Sequence, residues 1–191
     1  MSLSLRMAAR EHLPEILRIS NAVIRTSPAN FHLEEESLED LMSQFEATKQ
    51  YYPWLVATQD HEITGFAKAG PYRTRAAYDR TAETTIYLDA AQRGQGLGLG
   101  LYETLLAVLE LQGFRSAIGG ITRPNEASEA LHQKLGFEPA GVIKDAGWKF
   151  GRWWDVAFWQ KRFDGAPPTS DDLRRDMLSP QKAWAIFKDL A

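Results

Sequence analysis

A strand-like run passes through a glycine-rich turn into a helical run in the segment IYLDAAQRGQGLGLGLYETLL, residues 86–106. Leucine recurs at every fourth position from Leu97 to Leu109, and Gly113 stands where a glycine commonly ends a helix. A junction of this kind aims backbone N–H groups, and the positive end of the helix dipole, at the space in front of the helix. The segment therefore predicts a strand, a turn suited to an anion, and a helix over residues 96–112.

Glycines in the turn, Gly94, Gly96 and Gly98, lack the Cβ atoms that would hold a phosphate away from the backbone. Arg93 adds a charged donor. Two common nucleotide motifs do not fit, because Leu99 stands where the dinucleotide pattern needs a glycine, and no P-loop Gly-Lys-Ser or Gly-Lys-Thr occurs. A glycine-rich turn without a ligand is the alternative. The spacing Arg93-x-x-Gly96-x-Gly98 favours a ligand.

Hydrophobic periodicity along the rest of the chain alternates between helix and strand patterns. Helices are predicted at 12–25, from Ser37 onward, at 96–112 and from Pro124-Asn125 to Gly136, and strands at 54–58, 62–69, 81–88, 115–121, 137–144 and 153–162. This order predicts an α/β protein on one mixed sheet, parallel where a helix intervenes and antiparallel where a hairpin does. After Phe163, DGAPPTSDD is predicted to be a linker, and a short helix follows from Ser179-Pro180.

Composition excludes several function classes. The 22 Lys and Arg against 25 Asp and Glu give a net charge of −3, so no nucleic-acid partner is expected. The absence of Cys excludes disulfides, thiolate nucleophiles and Cys-ligated metals. No uninterrupted apolar run approaches about 18 residues, so we expect no membrane partner, no targeting segment and a cytoplasmic location.

The turn resembles the pyrophosphate motif Gln/Arg-x-x-Gly-x-Gly/Ala of the GNAT superfamily of acyl-CoA-dependent N-acetyltransferases. The runs TAETTIYL, RGQGLG, PNEASEALHQKLGF and GWKFGRWWDVAFWQ, in this order, are similar to the branch typified by phosphinothricin and methionine sulfoximine acetyltransferases. The resemblance covers about residues 3–163. It implies a GNAT domain over 1–163, with 164–191 as a C-terminal linker and short amphipathic helix. The implied fold is a mixed, mostly antiparallel twisted sheet with a central splayed parallel strand pair and helices on both faces.

The resemblance also implies acetyl-CoA as a co-substrate. Its implied contacts lie on the strand before the turn, in the turn, and at the start of the following helix: Ile86, Tyr87, Leu88, Arg93, Gly94, Gln95, Gly96, Leu97, Gly98, Asn125 and Ser128. Asn125 is equally suited to be a helix N-cap. No metal is expected, because the four histidines do not show the H-E-x-x-H spacing.

Glu83 is the candidate general base. It stands in the apolar and hydroxylated strand TAETTIYL, where a buried carboxylate is costly unless it has a partner or a task. The alternative is a solvent-facing Glu, or one paired with Arg73 or Arg75. His132 occupies the place where many GNAT enzymes carry a tyrosine that protonates the leaving thiolate, and this role stays open between His132, Tyr102 and water.

Arg73 and Arg75 flank one residue in a polar loop, and such a pair suits the carboxylate of an amino-acid substrate. The alternative is that both are solvated surface charges. Phe31 and these two arginines match the acceptor site of the resembling branch. The predicted acceptor residues are Phe31, Arg73, Arg75, Glu83, Thr84 and Thr85. The aromatic residues between Trp148 and Trp159 are assigned to the core or to a dimer contact.

These observations predict an enzyme that transfers acetyl from acetyl-CoA directly to the α-amino group of a small amino acid-like acceptor, of the phosphinothricin, methionine sulfoximine or methionine sulfone type. A homodimer is expected. One alternative is a GNAT transferase for another amine, such as a polyamine or a protein N-terminus. A second is a non-catalytic acyl-CoA-binding module whose helix at 180–190 docks a partner.

Overall fold

The computed structural model describes residues 3–92, 94 and 96–190, and these form one seven-stranded sheet with helices on both faces. The strands are β1 (Leu3–Met7), β2 (Trp54–Gln59), β3 (Glu62–Pro71), β4 (Thr81–Leu88), β5 (Ser116–Arg123), β6 (Glu138–Lys149) and β7 (Arg152–Arg162). The helices are α1 (Leu13–Thr26), α2 (Leu38–Thr48), α3 (Leu97–Gln112), α4 (Glu126–Lys134) and α5 (Pro180–Leu190).

The strand order is β1-β2-β3-β4-β5-β7-β6, and every neighbouring pair is antiparallel except β4 and β5. This confirms the predicted mixed sheet. Strand β1 is an addition to the prediction, since its five residues are too few to show a clear alternation. Strand β6 also runs past its predicted end at residue 144, because it continues as an exposed edge strand through two register shifts.

Alternation along β2 explains why helices cover both faces. Trp54 and Val56 pack with buried residues of α1 and α2, whereas Leu55 and Ala57 pack with buried residues of α3. Leu101, Leu105 and Leu109 of α3 are fully buried, as their four-residue spacing predicts. The predicted helices on both faces are therefore confirmed.

Pairing between the parallel strands is short. It joins Thr81–Glu83 to Ser116–Ile118 and then stops, although β4 continues to Leu88 and β5 to Arg123. At the point of separation the Thr84 hydroxyl lies 3.1 Å from the Ile118 carbonyl oxygen, so a side chain takes the place of the next backbone bond. This confirms the splayed parallel pair.

The C-terminal segment lies against the rest of the molecule. Helix α5 packs on α3, Ala183 is fully buried, and Met177 and Trp184 contact the core cluster beneath α3. Within the described residues, no helix combines the length and the apolar character needed to cross a membrane.

Candidate active site

The separated ends of β4 and β5 open beside the glycine turn that begins α3. Gly94 and Gly96 have φ angles of +78° and +80°, and a Cβ built on either glycine would meet no atom within 4 Å. Gly96 caps α3 and makes no side-chain cap hydrogen bond. At these two described glycines the backbone therefore leaves room for the close approach of an anion. The predicted contacts Arg93 and Gln95 lie outside the described residues.

Gly98 has a packing role that the sequence did not indicate. A Cβ at this position would lie 3.2 Å from Leu88 Cδ1 and 3.9 Å from Ile86 Cδ1. Leu97, next to it, is buried in the core. The small residue at 98 therefore allows the first turn of α3 to approach β4 closely.

Residues of β4 divide between the two faces of the sheet. Thr84, Ile86 and Leu88 face α3, while Glu83, Thr85 and Tyr87 face the side covered by α1 and α2. Beyond Glu83 the strand pairs with β3 but no longer with β5. Its edge toward β5 is therefore available for an extended ligand, as the predicted roles of Ile86, Tyr87 and Leu88 require.

A buried chain of hydrogen bonds lies under the opening. The Thr84 and Tyr102 hydroxyl oxygens are 2.7 Å apart, and Tyr102 Oη is 3.1 Å from His132 Nε2. His132 Nδ1 is 2.8 Å from the Ser128 carbonyl oxygen. The structure thus brings Thr84, Tyr102 and His132 together. The Thr84 side chain takes part in this hydrogen-bonded network and does not lie on the predicted acceptor face of β4.

The hydrogen-bond partners determine which atoms of His132 and Tyr102 carry hydrogens. A carbonyl oxygen only accepts, so Nδ1 of His132 carries a proton and, in the neutral ring, Nε2 accepts from Tyr102. Burial lowers the pKa of His132, an effect that the bond to Ser128 partly offsets. Burial raises the pKa of Tyr102 well above its ordinary value, so this hydroxyl stays protonated.

Helix α4 and strand β5 hold His132 in place. Asn125 caps the helix by accepting from the Ser128 N–H at 3.2 Å, which uses its side-chain oxygen and not its amide nitrogen. Gly119 of β5 makes room for the imidazole, since a Cβ there would lie 2.4 Å from Nε2. Sequence analysis missed Gly119, although a glycine inside a strand often signals such a close approach.

Glu83 is the last residue of β4 that pairs with β5, so it stands at the mouth of the opening. Loss of hydration raises the pKa of its carboxyl, and the positive charge of Arg73 lowers it. The structure therefore brings these two predicted residues together. Arg75 is exposed at the start of a short 3₁₀ turn, and Thr85 is half-buried opposite Lys68 on the face of Glu83.

Phe31 belongs to the loop between α1 and α2, residues 27–37, which we call the aromatic loop. Its ring lies against Gly147 of β6, where a Cβ would be 2.8 Å away. The Tyr87 hydroxyl donates to the Ala29 carbonyl oxygen at 3.1 Å. Phe31 is thus held between β4 and β6, on the same side of the sheet as Glu83.

Lys149 is a second anchor of the aromatic loop, and no sequence signal pointed to it. This buried ammonium donates to the carbonyl oxygens of Ile24 and Asn30, both at 2.7 Å, and lies 3.4 Å from that of Ser27. Burial lowers its pKa. Because these oxygens belong to the end of α1 and the start of the loop, the positive charge also complements the helix dipole.

Within the described residues, no group of three or more His, Asp or Glu side chains is arranged to hold a metal ion. The candidate site combines a glycine turn suited to an anion, the edge of β4 beyond its pairing with β5, a carboxylate and a buried hydroxyl–imidazole network.

Comparisons with known proteins agree with this geometry. Residues 17–137 match the acetyltransferase (GNAT) family. The chain is 39% identical over 165 residues to the phosphinothricin N-acetyltransferase of Streptomyces viridochromogenes, which covers 86% of this chain and 90% of that one. It is 36% identical over 166 residues to the L-methionine sulfoximine/L-methionine sulfone acetyltransferase of Pseudomonas paraeruginosa, covering 86% and 96%. A crystal structure of a GNAT superfamily phosphinothricin acetyltransferase from Sinorhizobium meliloti, in complex with AcCoA, gives a TM-score of 0.86 at 33% identity, covering 92% and 100%.

Replacing Tyr102 by Phe is expected to lower the free energy of unfolding by about 1–3 kcal/mol, because His132 Nε2 stays buried without its donor. Urea unfolding monitored by circular dichroism measures this. Tyr51→Phe is the matched control, since Tyr51 is 46% exposed, and it should change the value by less than about 0.5 kcal/mol. Equal stability of Tyr102→Phe and the parent chain would contradict the buried chain of hydrogen bonds.

Proposed function

Because the chain belongs to the acetyltransferase (GNAT) family, we propose that it transfers the acetyl group of acetyl-CoA to the α-amino group of a small amino acid-like acceptor. Acceptors of the phosphinothricin, methionine sulfoximine or methionine sulfone type follow from the printed activities of relatives at 36–39% identity. The observation that carries the proposal is the opening beyond Glu83, which joins an unpaired strand edge to an open anion-binding turn.

The residues present fit acetyl-CoA. Gly94 and Gly96 leave space and backbone donors for a diphosphate, with Arg93 as the predicted charged partner. The edge of β4 at Ile86–Leu88 offers peptide groups to the two amides of the pantetheine arm, as an added strand would. When bound, this co-substrate supplies a thioester carbonyl that an amine can attack.

Glu83 then acts as the general base. An amino group attacks only as the free amine, so Glu83 takes a proton from the α-ammonium, directly or through one water. A nitrogen–carbon bond forms, the carbon–sulfur bond breaks, and the departing thiolate takes a proton from the buried chain of Tyr102 and His132 or from water. A backbone N–H of β4 at the opening stabilises the developing oxyanion. No covalent enzyme intermediate is required.

The acceptor binds on the face of β4 that carries Glu83 and Thr85. Arg73, which is close enough to influence the Glu83 carboxyl, pairs with the acceptor carboxylate, and Arg75 adds a second positive charge. Phe31 bounds the pocket from the aromatic loop. This arrangement places a carboxylate base and a carboxylate-binding cation on either side of one α-carbon.

We also propose a cytoplasmic location and infer a homodimer. The tip of the β6–β7 hairpin exposes three aromatic side chains, Trp148, Phe150 and Trp153, each more than half accessible. The Trp148 and Trp153 rings meet with centroids 5.4 Å apart, and this exposed aromatic pair in an edge hairpin supports a protein contact at this point.

A thiol-release assay with acetyl-CoA tests the proposed acceptor class. Methionine sulfoximine, methionine sulfone and phosphinothricin are expected to give turnover at least tenfold above spermidine and above a peptide N-terminus. Preference for spermidine or the peptide would replace the proposed acceptor class. Binding of acetyl-CoA without turnover on any amine would instead indicate the non-catalytic module.

Glu83→Gln is expected to lower kcat by about 100-fold or more, because the amide cannot accept the ammonium proton. The dissociation constant of acetyl-CoA, measured by calorimetry, should stay within twofold, since Glu83 lies outside the glycine turn. Undiminished turnover near neutral pH would remove Glu83 from its role as base.

Arg73→Gln is expected to move the acid limb of the kcat–pH profile to higher pH. Glu83 must be ionised to act, partial loss of hydration already raises the pKa of this accessible carboxyl, and the lost positive charge raises it further. Arg75→Gln is the control and should leave that limb in place. The measurement uses saturating acceptor, because the loss of Arg73 should also raise the acceptor KM by roughly tenfold. A limb that does not move would separate Arg73 from Glu83.

A further inference from the structure

An ion pair joins the C-terminal segment to the polar loop that follows β3. Arg174 donates to both carboxylate oxygens of Asp79, through Nε and an Nη, each at 2.8 Å. The two side chains are only 32% and 18% exposed, and the guanidinium carbon lies 4.3 Å from the centre of the Tyr51 ring. A shielded, two-pronged pair of this kind is more strongly fixed than an ordinary surface pair.

A neighbouring arginine makes a second connection at the same place. Arg80 Nε donates to the Leu173 carbonyl oxygen at 2.8 Å, and an Nη of Arg80 donates to that of Gly113 at 3.2 Å. The backbone of Arg80 accepts from the Arg115 N–H at 2.7 Å. The consecutive residues Asp79 and Arg80 are therefore held by the C-terminal segment on one side and by the junction between α3 and β5 on the other.

Asp79 and Arg80 end the segment from Tyr72 to Arg80, which we call the arginine loop. Within it the Tyr72 and Tyr78 rings meet edge to face at 5.7 Å, and the Arg73 guanidinium lies 5.1 Å from the centre of the Tyr72 ring. Arg73 in turn lowers the pKa of Glu83. Contacts thus run from Arg174 through the arginine loop to Arg73, and the pairing of Gly70 with Glu83 brings the start of this loop next to the proposed acceptor site.

The C-terminal segment is itself fixed to the core. The Leu178 N–H donates to the Gln112 carbonyl oxygen at 3.1 Å, and Gln112 Nε2 donates back to the Leu178 carbonyl oxygen at 3.0 Å. Beyond it, Ala183 of α5 is fully buried. The segment therefore provides a firm base for whatever Arg174 holds.

An open pocket of about 140 Å³ borders the ion pair and is lined by Tyr52, Asp79, Phe114, Arg174 and Leu178 among others. Beside this pocket, directional bonds from Arg174 and Arg80 connect the C-terminal segment to Asp79 and Arg80.

We propose that Arg174 is a positioning residue for acceptor binding: by clamping Asp79 it braces the arginine loop, and the loop holds Arg73 beside Glu83. This inference rests on the proposed function, because the acceptor is what Arg73 binds. It gives the C-terminal segment a specific task in acceptor recognition. The coenzyme-binding turn lies at the opposite end of β4 and does not depend on the brace.

Steady-state kinetics of the full chain test the brace. Arg174→Met and Asp79→Asn are each expected to raise the acceptor KM by about five- to tenfold, with the acetyl-CoA KM and kcat within twofold. Arg174→Lys should fall between them and the parent chain, because it keeps the charge but not the fork. The matched control is Arg175→Met, which removes the same charge from an exposed neighbouring residue and should change nothing.

A double variant shows whether the two substitutions act through loss of the same Arg174–Asp79 contact or cause independent defects. Arg174→Met with Asp79→Asn should raise the acceptor KM no more than the worse single change, since both break one contact. An acceptor KM that stays at the parent value in both single variants would overturn the proposal. So would an equal rise in the acetyl-CoA KM, which would indicate general loosening.

Hydrogen–deuterium exchange separates the brace from the proposed function, because it needs no substrate. Peptides covering residues 72–80 should exchange at least fivefold faster in Arg174→Met and Asp79→Asn than in the parent chain and Arg175→Met. If the parent chain acetylates none of the amines tested, the proposed function fails. The exchange rates over residues 72–80 still show whether Arg174 and Asp79 hold the arginine loop in place. Unchanged exchange over 72–80 in both variants would overturn it.

Discussion

The early end of the β4–β5 pairing is the constraint on which the rest of the structure depends. Parallel strands normally stay paired along their common length, yet here the Thr84 hydroxyl meets the Ile118 carbonyl and the strands separate. The separation exposes backbone on β4 and opens a passage beside the glycine turn. It also places Glu83 at the rim and Tyr102 beneath it. The early separation of β4 from β5 thus connects both halves of the proposed site.

On the face of the sheet covered by α1 and α2, the proposed acceptor site is formed largely by two loops that hydrogen bonds hold in place. The aromatic loop is tied to β4 through Tyr87 and to β6 through Lys149, and the side chain of Asn21 exchanges two hydrogen bonds of 3.0 Å with the backbone of Glu36 at its far end. A buried ammonium surrounded by three carbonyl oxygens is well satisfied, so Lys149 stabilises the conformation of the aromatic loop where it leaves α1. The arginine loop receives comparable support from Asp79 and Arg80.

Sequence reasoning located the elements with strong local patterns. The leucine spacing of α3 and the β-branched residues of β4 gave both elements to within a residue, and the glycine turn led to the family. The short strand β1 had too little pattern to be recognised. Gly119 and Lys149 were out of reach for another reason, because their roles depend on distant partners: Lys149 and Ile24 are 125 positions apart. The predicted roles of the site residues remain predictions. For Thr84, too, the sequence was not sufficient, since only the fold shows which face of β4 its side chain occupies.

The hydrogen-bonded network under the opening has one hydrogen fewer than its contacts need. It runs from the Ser128 carbonyl oxygen through His132, Tyr102 and Thr84 to the Ile118 carbonyl oxygen, which makes four contacts. When His132 is neutral, the three side chains together supply only three hydrogens. One contact is therefore always without a hydrogen: while Tyr102 donates to His132, the Thr84 hydroxyl can donate either to Tyr102 or to the Ile118 carbonyl oxygen. A fourth hydrogen, on Nε2 of His132, would complete all four contacts at once, but burial of the resulting imidazolium opposes it by lowering the pKa of His132. The hydrogen-bonded network can therefore accept one additional proton directly below the proposed site of acetyl transfer.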